Sequence, residues 1–216
     1  MPIIAPSLLA ADFLKLDDEC RMLNESEADW FHLDIMDGNF VPNISFGPMI
    51  VEFVRKTTKK PCDVHLMIIE PEKYAEAFKK AGADLLSVHI EACPDLHKNI
   101  EQIRSLGMKP GVAISPDTPV TDLENILPHI HHICFMSVYP GYGGQKFIPQ
   151  SIERIKQLRK MIDEKGLNVL IEIDGGVTVE NAASIVAAGA DVLVAGNTVF
   201  KSSDPKATIA QLKSIS

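Results

Sequence analysis

The sequence predicts an α/β protein, a single (β/α)8 barrel of the TIM-barrel class that spans residues 1–216. Short apolar runs recur eight times, and segments with the period of an amphipathic helix lie between them. Glycines stand where the intervening helices should end, at Gly82, Gly107, Gly166 and Gly189. Eight alternating units in a chain of 216 residues favour a closed barrel over an open sheet.

The predicted elements alternate along the chain. The apolar runs predict strands near residues 3–6, 30–35, 62–67, 84–90, 109–114, 132–138, 169–174 and 191–195. The periodic segments predict helices near residues 13–25, 47–57, 72–81, 95–106, 121–127, 150–165, 179–188 and 205–214, and Pro71, Pro149 and Thr178 mark helix starts. An Ala-Gly-Ala-Asp sequence occurs at residues 81–84 and again at 188–191. It is equally compatible with two related half-barrels and with an ordinary turn.

Composition and charge argue against several classes of partner. The formal net charge of −8 disfavours nucleic acid and anionic membranes, because both attract positive surface potential. A small anionic ligand stays compatible, since backbone amides can bind it. The segment MPIIAPSLLAADF has no basic region, and no apolar run approaches the roughly 18 residues of a membrane span. We therefore expect a cytoplasmic protein with four free cysteines, since no Cys-x-x-Cys pair occurs.

Polar side chains near the ends of three predicted strands form a candidate metal site. Alternate residues of a strand share a face, so His32 and Asp34 point to the same side. His65 and Asp174 occupy similar positions on two other strands, and their neighbours are aliphatic, so the four side chains should converge inside the barrel. This donor set suits one divalent ion such as Zn²⁺, Fe²⁺, Mn²⁺ or Co²⁺ better than Ca²⁺. The alternative is a group of buried polar residues satisfied by hydrogen bonds.

Glycines follow the last three predicted strands and form a candidate phosphate site. Exposed backbone N–H groups near helix N-termini can bind a phosphate, and the loops after strands seven and eight of a barrel commonly do so. Any one of these stretches could instead be a tight turn. The residues are Gly141, Tyr142, Gly143 and Gly144, then Gly175 and Gly176, then Gly196 and Asn197.

Six segments resemble those of the ribulose-phosphate 3-epimerase family, and together they cover most of the chain. They are APSLLAADF at 5–13, HLDIMDGNFVPNISFG at 32–47, DVHLM at 63–67, MSVYPGYGGQKF at 136–147, IDGGV at 173–177 and AGNTVF at 195–200. The resemblance implies a metal-dependent barrel enzyme that interconverts D-ribulose 5-phosphate and D-xylulose 5-phosphate by inversion at C3. Inversion needs acid/base groups on both faces of that carbon.

The resemblance also implies a role for each site residue. Asp34 and Asp174 match the acid/base pair. The matching metal ligands are His32, Asp34, His65 and Asp174, and the matching substrate contacts are Ser7, His65 and Asp174. The phosphate site matches Gly141, Tyr142, Gly143, Gly144, Gly175, Gly176, Gly196 and Asn197, and the apolar lining matches Met36, Met67 and Met136.

Three residues depart from the commonest pattern of the family: Tyr139, Tyr142 and Asn197 stand where Asn, Phe and a small residue are usual. None of them removes a ligand or an acid/base group, so they bear on substrate preference and loop motion. Asp37 and His89 border the expected pocket and either orient ligands or make structural hydrogen bonds. The expected partner is a phosphorylated ketose, and the sequence leaves the oligomeric state open, a homo-oligomer included.

The sequence leaves three alternative functions to test. The first is 3-epimerisation of a six-carbon ketose phosphate such as allulose 6-phosphate, because pocket length decides between the sugars. The second is a metal-independent barrel lyase, although no lysine occurs among the strand-end motifs. The third is a sugar-phosphate binding barrel without catalysis.

Overall fold

The computed structural model describes residues 1–215, which build an eight-stranded parallel β-barrel surrounded by helices. The strands are β1 Ile3–Ala5, β2 Phe31–Met36, β3 Cys62–Met67, β4 Leu85–His89, β5 Lys109–Ile114, β6 His132–Met136, β7 Leu170–Asp174 and β8 Val192–Val194. Seven strand pairs are hydrogen-bonded in the order β1-β8-β7-β6-β5-β4-β3-β2, and every pair is parallel. All eight predicted strands are therefore confirmed, most of them a residue or two shorter than expected.

The joint between β1 and β2 closes the barrel. Ser7 and His32 form an isolated parallel bridge there. Two backbone hydrogen bonds accompany it: the amide of Asp29 donates to the carbonyl oxygen of Ile4 at 2.8 Å, and the amide of His32 donates to that of Pro6 at 3.1 Å. The predicted (β/α)8 fold is thus confirmed.

The α-helices cover the outside of the barrel, and one predicted helix was wrong. They are α1 Leu16–Glu25, α2 Pro48–Thr57, α3 Ala75–Ala81, α4 Leu96–Ser105, α5 Ser151–Glu164, α6 Val179–Ala187, α7 Asn197–Phe200 and α8 Pro205–Lys213. Instead of a helix over 121–127, the chain forms two 3-10 turns, Val120–Leu123 and Leu127–His129. Pro119 and Pro128 bracket this segment, and Pro128, within the second turn, has no N–H to donate to a continuing helical ladder. The short α7 was not predicted.

The two faces of the strands explain where the site lies. Aliphatic side chains such as Leu33, Val64 and Ile171 are fully buried between the strands and the outer helices. Inside the barrel, Trp30, Leu85 and Val192 at the strand starts belong to one apolar cluster. The polar side chains of β2, β3 and β7 lie farther along the strands, toward their carboxyl ends. In the described residues 1–215, no helix is long and apolar enough to cross a membrane.

Candidate active site

The four predicted ligands meet at the carboxyl ends of β2, β3 and β7. One donor atom from each of His32, Asp34, His65 and Asp174 lies within 4.8 Å of the other three. Asp34 Oδ1 is 3.2 Å from His32 Nε2 and 3.2 Å from His65 Nδ1. Asp174 Oδ2 faces the same two nitrogens at 3.8 and 3.4 Å. Strand register produces this geometry, because Asp34 stands directly opposite His65.

The electrostatics of this quartet favour a cation at its centre. Burial acts to lower the pKa of His32, yet Asp34 and Asp63 outweigh burial and raise that pKa well above its usual value. The pKa of His65 is likewise raised, because Asp174 and Asp34 outweigh its burial. Burial opposes ionisation of Asp34, but the two imidazoles hold the pKa of that carboxyl below its usual range. The carboxylates thus draw positive charge into the space, and two imidazoles with two carboxylates fit a borderline divalent metal ion.

A second carboxylate contacts the ring nitrogen of His32 that faces away from the quartet. Its Nδ1 lies 2.6 Å from Asp63 Oδ2, so Nε2 is the ring nitrogen that faces the quartet. Glu172 lies against Asp63, with Oε1 3.5 Å from His32 Nδ1. Burial, and then the neighbouring Asp63, raise the pKa of Glu172 well above its usual value, which favours the neutral form of its carboxyl. Strand alternation puts Asp63 on the same face as His65 and Glu172 on the same face as Asp174, but neither residue was predicted to have a role.

On the other side of its ring, His65 contacts a histidine of the next strand, which in turn contacts a glutamate of the turn after that strand. Its Nε2 lies 3.0 Å from His89 Nε2, and His89 Nδ1 lies 3.0 Å from Glu91 Oε2. Burial is the main cause that lowers the pKa of His89 to about 4, so this imidazole is neutral. Asp37, the other predicted orienting residue, instead accepts backbone N–H groups of Asn39, Phe40 and Ile69 and stabilises the loop after β2.

The quartet forms the floor of a cavity of about 820 Å³. Asp34 and Asp174 line this cavity, whereas His32 and His65 are fully buried beneath it. Ser7 also lines it and donates from Oγ to Asp34 Oδ2 at 2.5 Å. The three predicted methionines, Met36, Met67 and Met136, lie in its wall.

The glycine-rich loops complete the cavity on the side of β6, β7 and β8. Every predicted phosphate-site residue lines it: Gly141, Tyr142, Gly143, Gly144, Gly175, Gly176, Gly196 and Asn197. Gly176 has a φ of +65°, and a Cβ there would overlap the backbone of Phe147. A Cβ on Gly144 would lie 2.5 Å from Asn197 Nδ2, so these two loops are in close contact. Only glycine allows this approach of loop backbones.

Other lining residues were missed by the sequence argument. Lys146 and Lys201 line the same cavity and bring positive charge to it, and Asn43 donates from Nδ2 to the carbonyl oxygen of Gly141 at 3.0 Å. Lys146 lies within the quoted segment 136–147 and Lys201 directly follows the segment 195–200, but neither lysine was assigned a role from the sequence. Tyr139, a departure from the family pattern, is exposed and donates its hydroxyl hydrogen to Asp117 Oδ1 at 3.0 Å.

Comparison with known proteins identifies the family of this chain. A model described as the ribulose-phosphate 3 epimerase family matches residues 3–200. A ribulose-phosphate 3-epimerase of Synechocystis is 50% identical over 213 residues, covering 98% of this chain and 93% of the relative. One from Bacillus subtilis is 50% identical over 211 residues, covering 97% of each.

Solved structures with low sequence identity share the fold. A mutant tryptophan synthase α-subunit from Pyrococcus furiosus superposes with a TM-score of 0.71 at 17% identity, covering 99% of this chain and 97% of the other. At that identity the likeness concerns the barrel alone. The near full-length relatives at 50% identity and the family match over residues 3–200 carry the assignment. The chain therefore belongs to the ribulose-phosphate 3-epimerase family of isomerases.

Proposed function

We propose that the protein interconverts D-ribulose 5-phosphate and D-xylulose 5-phosphate by removing the C3 proton from one face and delivering a proton to the opposite face. The observation that carries this proposal is the pair Asp34 and Asp174, which come from β2 and β7 and both line the cavity. Two carboxyl groups from different strands can flank a single carbon of a bound sugar. This is what inversion through an enediolate requires.

The two carboxyl groups have different surroundings. Asp34 is 4% exposed and accepts the Ser7 hydroxyl, and its low pKa keeps it ionised and ready to accept a proton. Asp174 lies at the end of β7, and its side chain is 14% exposed. Met36, Met67 and Met136 would exclude water from the reacting carbons without offering a titratable proton.

The same residues would hold a metal ion in this proposal. His32 Nε2, His65 Nδ1 and one carboxylate oxygen each from Asp34 and Asp174 would bind one Zn²⁺, Fe²⁺, Mn²⁺ or Co²⁺ ion. When bound, such an ion supplies Lewis-acid stabilisation of the negative charge that develops on the substrate oxygens beside C3. Asp63 and the His89–Glu91 pair would keep the two imidazoles in place.

The phosphate of the substrate would lie at the opposite side of the cavity. The loops that contain Gly144, Gly176 and Gly196 would offer backbone N–H groups, and Lys146 and Lys201 would add positive charge. This arrangement fixes one end of the sugar while the carboxylates act on the other. The proposed enzyme acts in the cytoplasm on a small phosphorylated ketose and needs neither nucleic acid nor a membrane.

The test combines elemental analysis with an assay on the same preparation. We expect one divalent transition metal per chain, and exchange of the C3 hydrogen of ribulose 5-phosphate with solvent deuterium at the rate of epimerisation. Faster turnover of allulose 6-phosphate would overturn the pentose assignment. Full activity of metal-free protein after chelation would favour a lyase-type barrel, and binding without C3 exchange would favour a non-catalytic barrel.

A further inference from the structure

We propose that Glu91 and His89 are positioning residues that set which ring nitrogen of His65 carries a hydrogen, and so keep Nδ1 of His65 free to bind a metal ion. The inference rests on the proposed function, because it concerns the metal ligand His65. The three side chains form a chain of hydrogen bonds that starts at the edge of a surface crevice and ends at the quartet.

Glu91 sets the donor-to-acceptor direction of this chain of hydrogen bonds. Oε1 of Glu91 accepts the backbone N–H of Ser115 at 2.8 Å and also the hydroxyl of Thr118. Oε2 lies 3.0 Å from His89 Nδ1. Burial acts to raise the pKa of Glu91, yet these donors outweigh it and lower that pKa to about 2. An ionised carboxylate can only accept, so His89 must carry its hydrogen on Nδ1.

The hydrogen position on His89 then determines which ring nitrogen of His65 carries a hydrogen. His89 is fully buried, and an imidazole that carries its hydrogen on Nδ1 accepts through Nε2. His65 Nε2 lies 3.0 Å away and therefore donates to it. His65 Nδ1 is left to face Asp34 Oδ1 at 3.2 Å and Asp174 Oδ2 at 3.4 Å, a position that suits a cation. The opposite tautomer would direct an N–H at the ion and prevent ligation.

Packing of the three side chains holds their hydrogen bonds in this geometry. The rings of His65 and His89 stack with centroids 5.0 Å apart, and the ring of Phe40 covers His89 at 4.6 Å. Glu91 belongs to a 3-10 turn, Ile90–Ala92, that directly follows β4. His65 and His89 therefore come from adjacent paired strands and Glu91 from the turn after the second strand, so the three groups have little freedom to exchange partners.

The substitution Glu91→Gln should reverse the direction of the chain without changing its shape. The Ser115 N–H requires an oxygen, so the amide oxygen stays at that position and the amide NH₂ faces His89. His89 would then carry its hydrogen on Nε2 and compete with the N–H of His65. We expect Zn²⁺ affinity, measured by chelator competition, to fall about 10- to 100-fold. Asp122→Asn is the matched control, because it removes the same charge from the same crevice and should leave affinity unchanged.

A second readout tests the chain without any metal. In ¹⁵N-imidazole NMR spectra of metal-free protein, His89 should carry its hydrogen on Nδ1 in the natural sequence and on Nε2 in Glu91→Gln. His89→Gln can still accept from His65 and donate to Glu91, so it should bind Zn²⁺ more tightly than His89→Phe.

Three outcomes would overturn the inference: a hydrogen on Nε2 of His89 in the natural sequence, unchanged Zn²⁺ affinity in Glu91→Gln, or equal affinities for the two His89 variants. Failure of the natural sequence to bind any transition metal would instead contradict the proposed function, and the metal-free spectra would still decide the hydrogen positions.

Discussion

Asp34 shows how one side chain joins the parts of the site. Its Oδ1 faces both imidazoles, and its Oδ2 accepts the Ser7 hydroxyl. Its backbone carbonyl oxygen accepts the Ser45 hydroxyl at 2.6 Å, which fixes the end of β2. Each interaction comes from a different segment of the chain, so the position of this carboxylate depends on correct assembly of the barrel.

Asp174→Asn should nearly abolish exchange of the C3 hydrogen, because it removes one proton carrier with little change in volume. We expect a loss of at least about 100-fold in kcat, within the usual contribution of an acid/base group. The measurement is deuterium exchange at C3, with far-ultraviolet circular dichroism to show an intact fold. Substantial residual epimerisation in a folded variant would show that Asp174 does not carry the proton.

Glu91 should make the free energy of unfolding depend on pH in the acid range. Its pKa is about 2 in the folded protein and near 4.5 in an unfolded chain, so its contribution is complete above about pH 4.5 and is lost as the pH falls toward 2. The side chain of Glu91 is 27% exposed, so solvent screening leaves only part of the roughly 3 kcal/mol that the full shift represents. Denaturant unfolding should therefore show a difference between the natural sequence and Glu91→Gln at pH 7 that shrinks toward pH 3. A difference that stays constant with pH would contradict this, and Asp122→Asn serves as the comparison.

At the scale of elements, the loop after β7 and the turn after α5 depend on glycine for two separable reasons. Gly176 and Gly166 both have left-handed φ angles, +65° and +62°, so alanine is strained at either position. A Cβ on Gly176 would also overlap the backbone of Phe147, whereas no atom lies within 4 Å of a Cβ on Gly166. Alanine is therefore strained to a similar degree at both positions, but it would collide with a neighbouring loop only at Gly176.

Gly176→Ala should raise KM for the phosphorylated sugar about 10-fold or more, because the overlap displaces a loop of the proposed phosphate site. Gly166→Ala should cost about 1–2 kcal/mol of stability from strain and leave KM unchanged. Steady-state kinetics and denaturant unfolding on both variants make the comparison. Equal KM values in the two variants would mean that the loop near Gly176 does not hold the phosphate.

The sequence predicted elements where the pattern is local and failed where partners are distant. Alternation in residues 30–36 and 62–67 placed His32, Asp34 and His65 correctly, because strand periodicity alone sets their face. The helix expected over 121–127 was wrong: two short 3-10 turns form there, and Pro128 lacks the N–H that a continuous helix would need. The hydrogen-bonded chain through Glu91 could not be read from sequence, since Ser115 and Thr118 reach it across 24 and 27 residues.

For the molecule as a whole, we propose that residues 1–216 form a single domain. The strands run around one barrel, and the cavity takes residues from β2, such as Asp34, and from β8, such as Val194. Calorimetry should show one unfolding transition with an enthalpy of about 150 kcal/mol, from the usual value per residue over 216 residues. Two resolved transitions, or a calorimetric enthalpy well above the van't Hoff value, would contradict a single domain.

The two halves of the barrel contribute differently to the site. His32, Asp34 and His65 come from β2 and β3, whereas the glycine-rich loops follow β6, β7 and β8. Only Asp174 joins the quartet from the later strands. In the proposed enzyme, one half would thus act mainly on the carbonyl end of the sugar and the other would hold its phosphate.

The bridge between Ser7 and His32 is both the joint that closes the barrel and an edge of the quartet. Any fluctuation that opens β1 from β2 would separate the Ser7 hydroxyl from Asp34 and leave His32 on a free strand edge. Transient separation of β1 from β2 would therefore inactivate the enzyme even while its outer helices stay folded. We therefore expect the working lifetime of the site to depend on how rarely β1 and β2 separate.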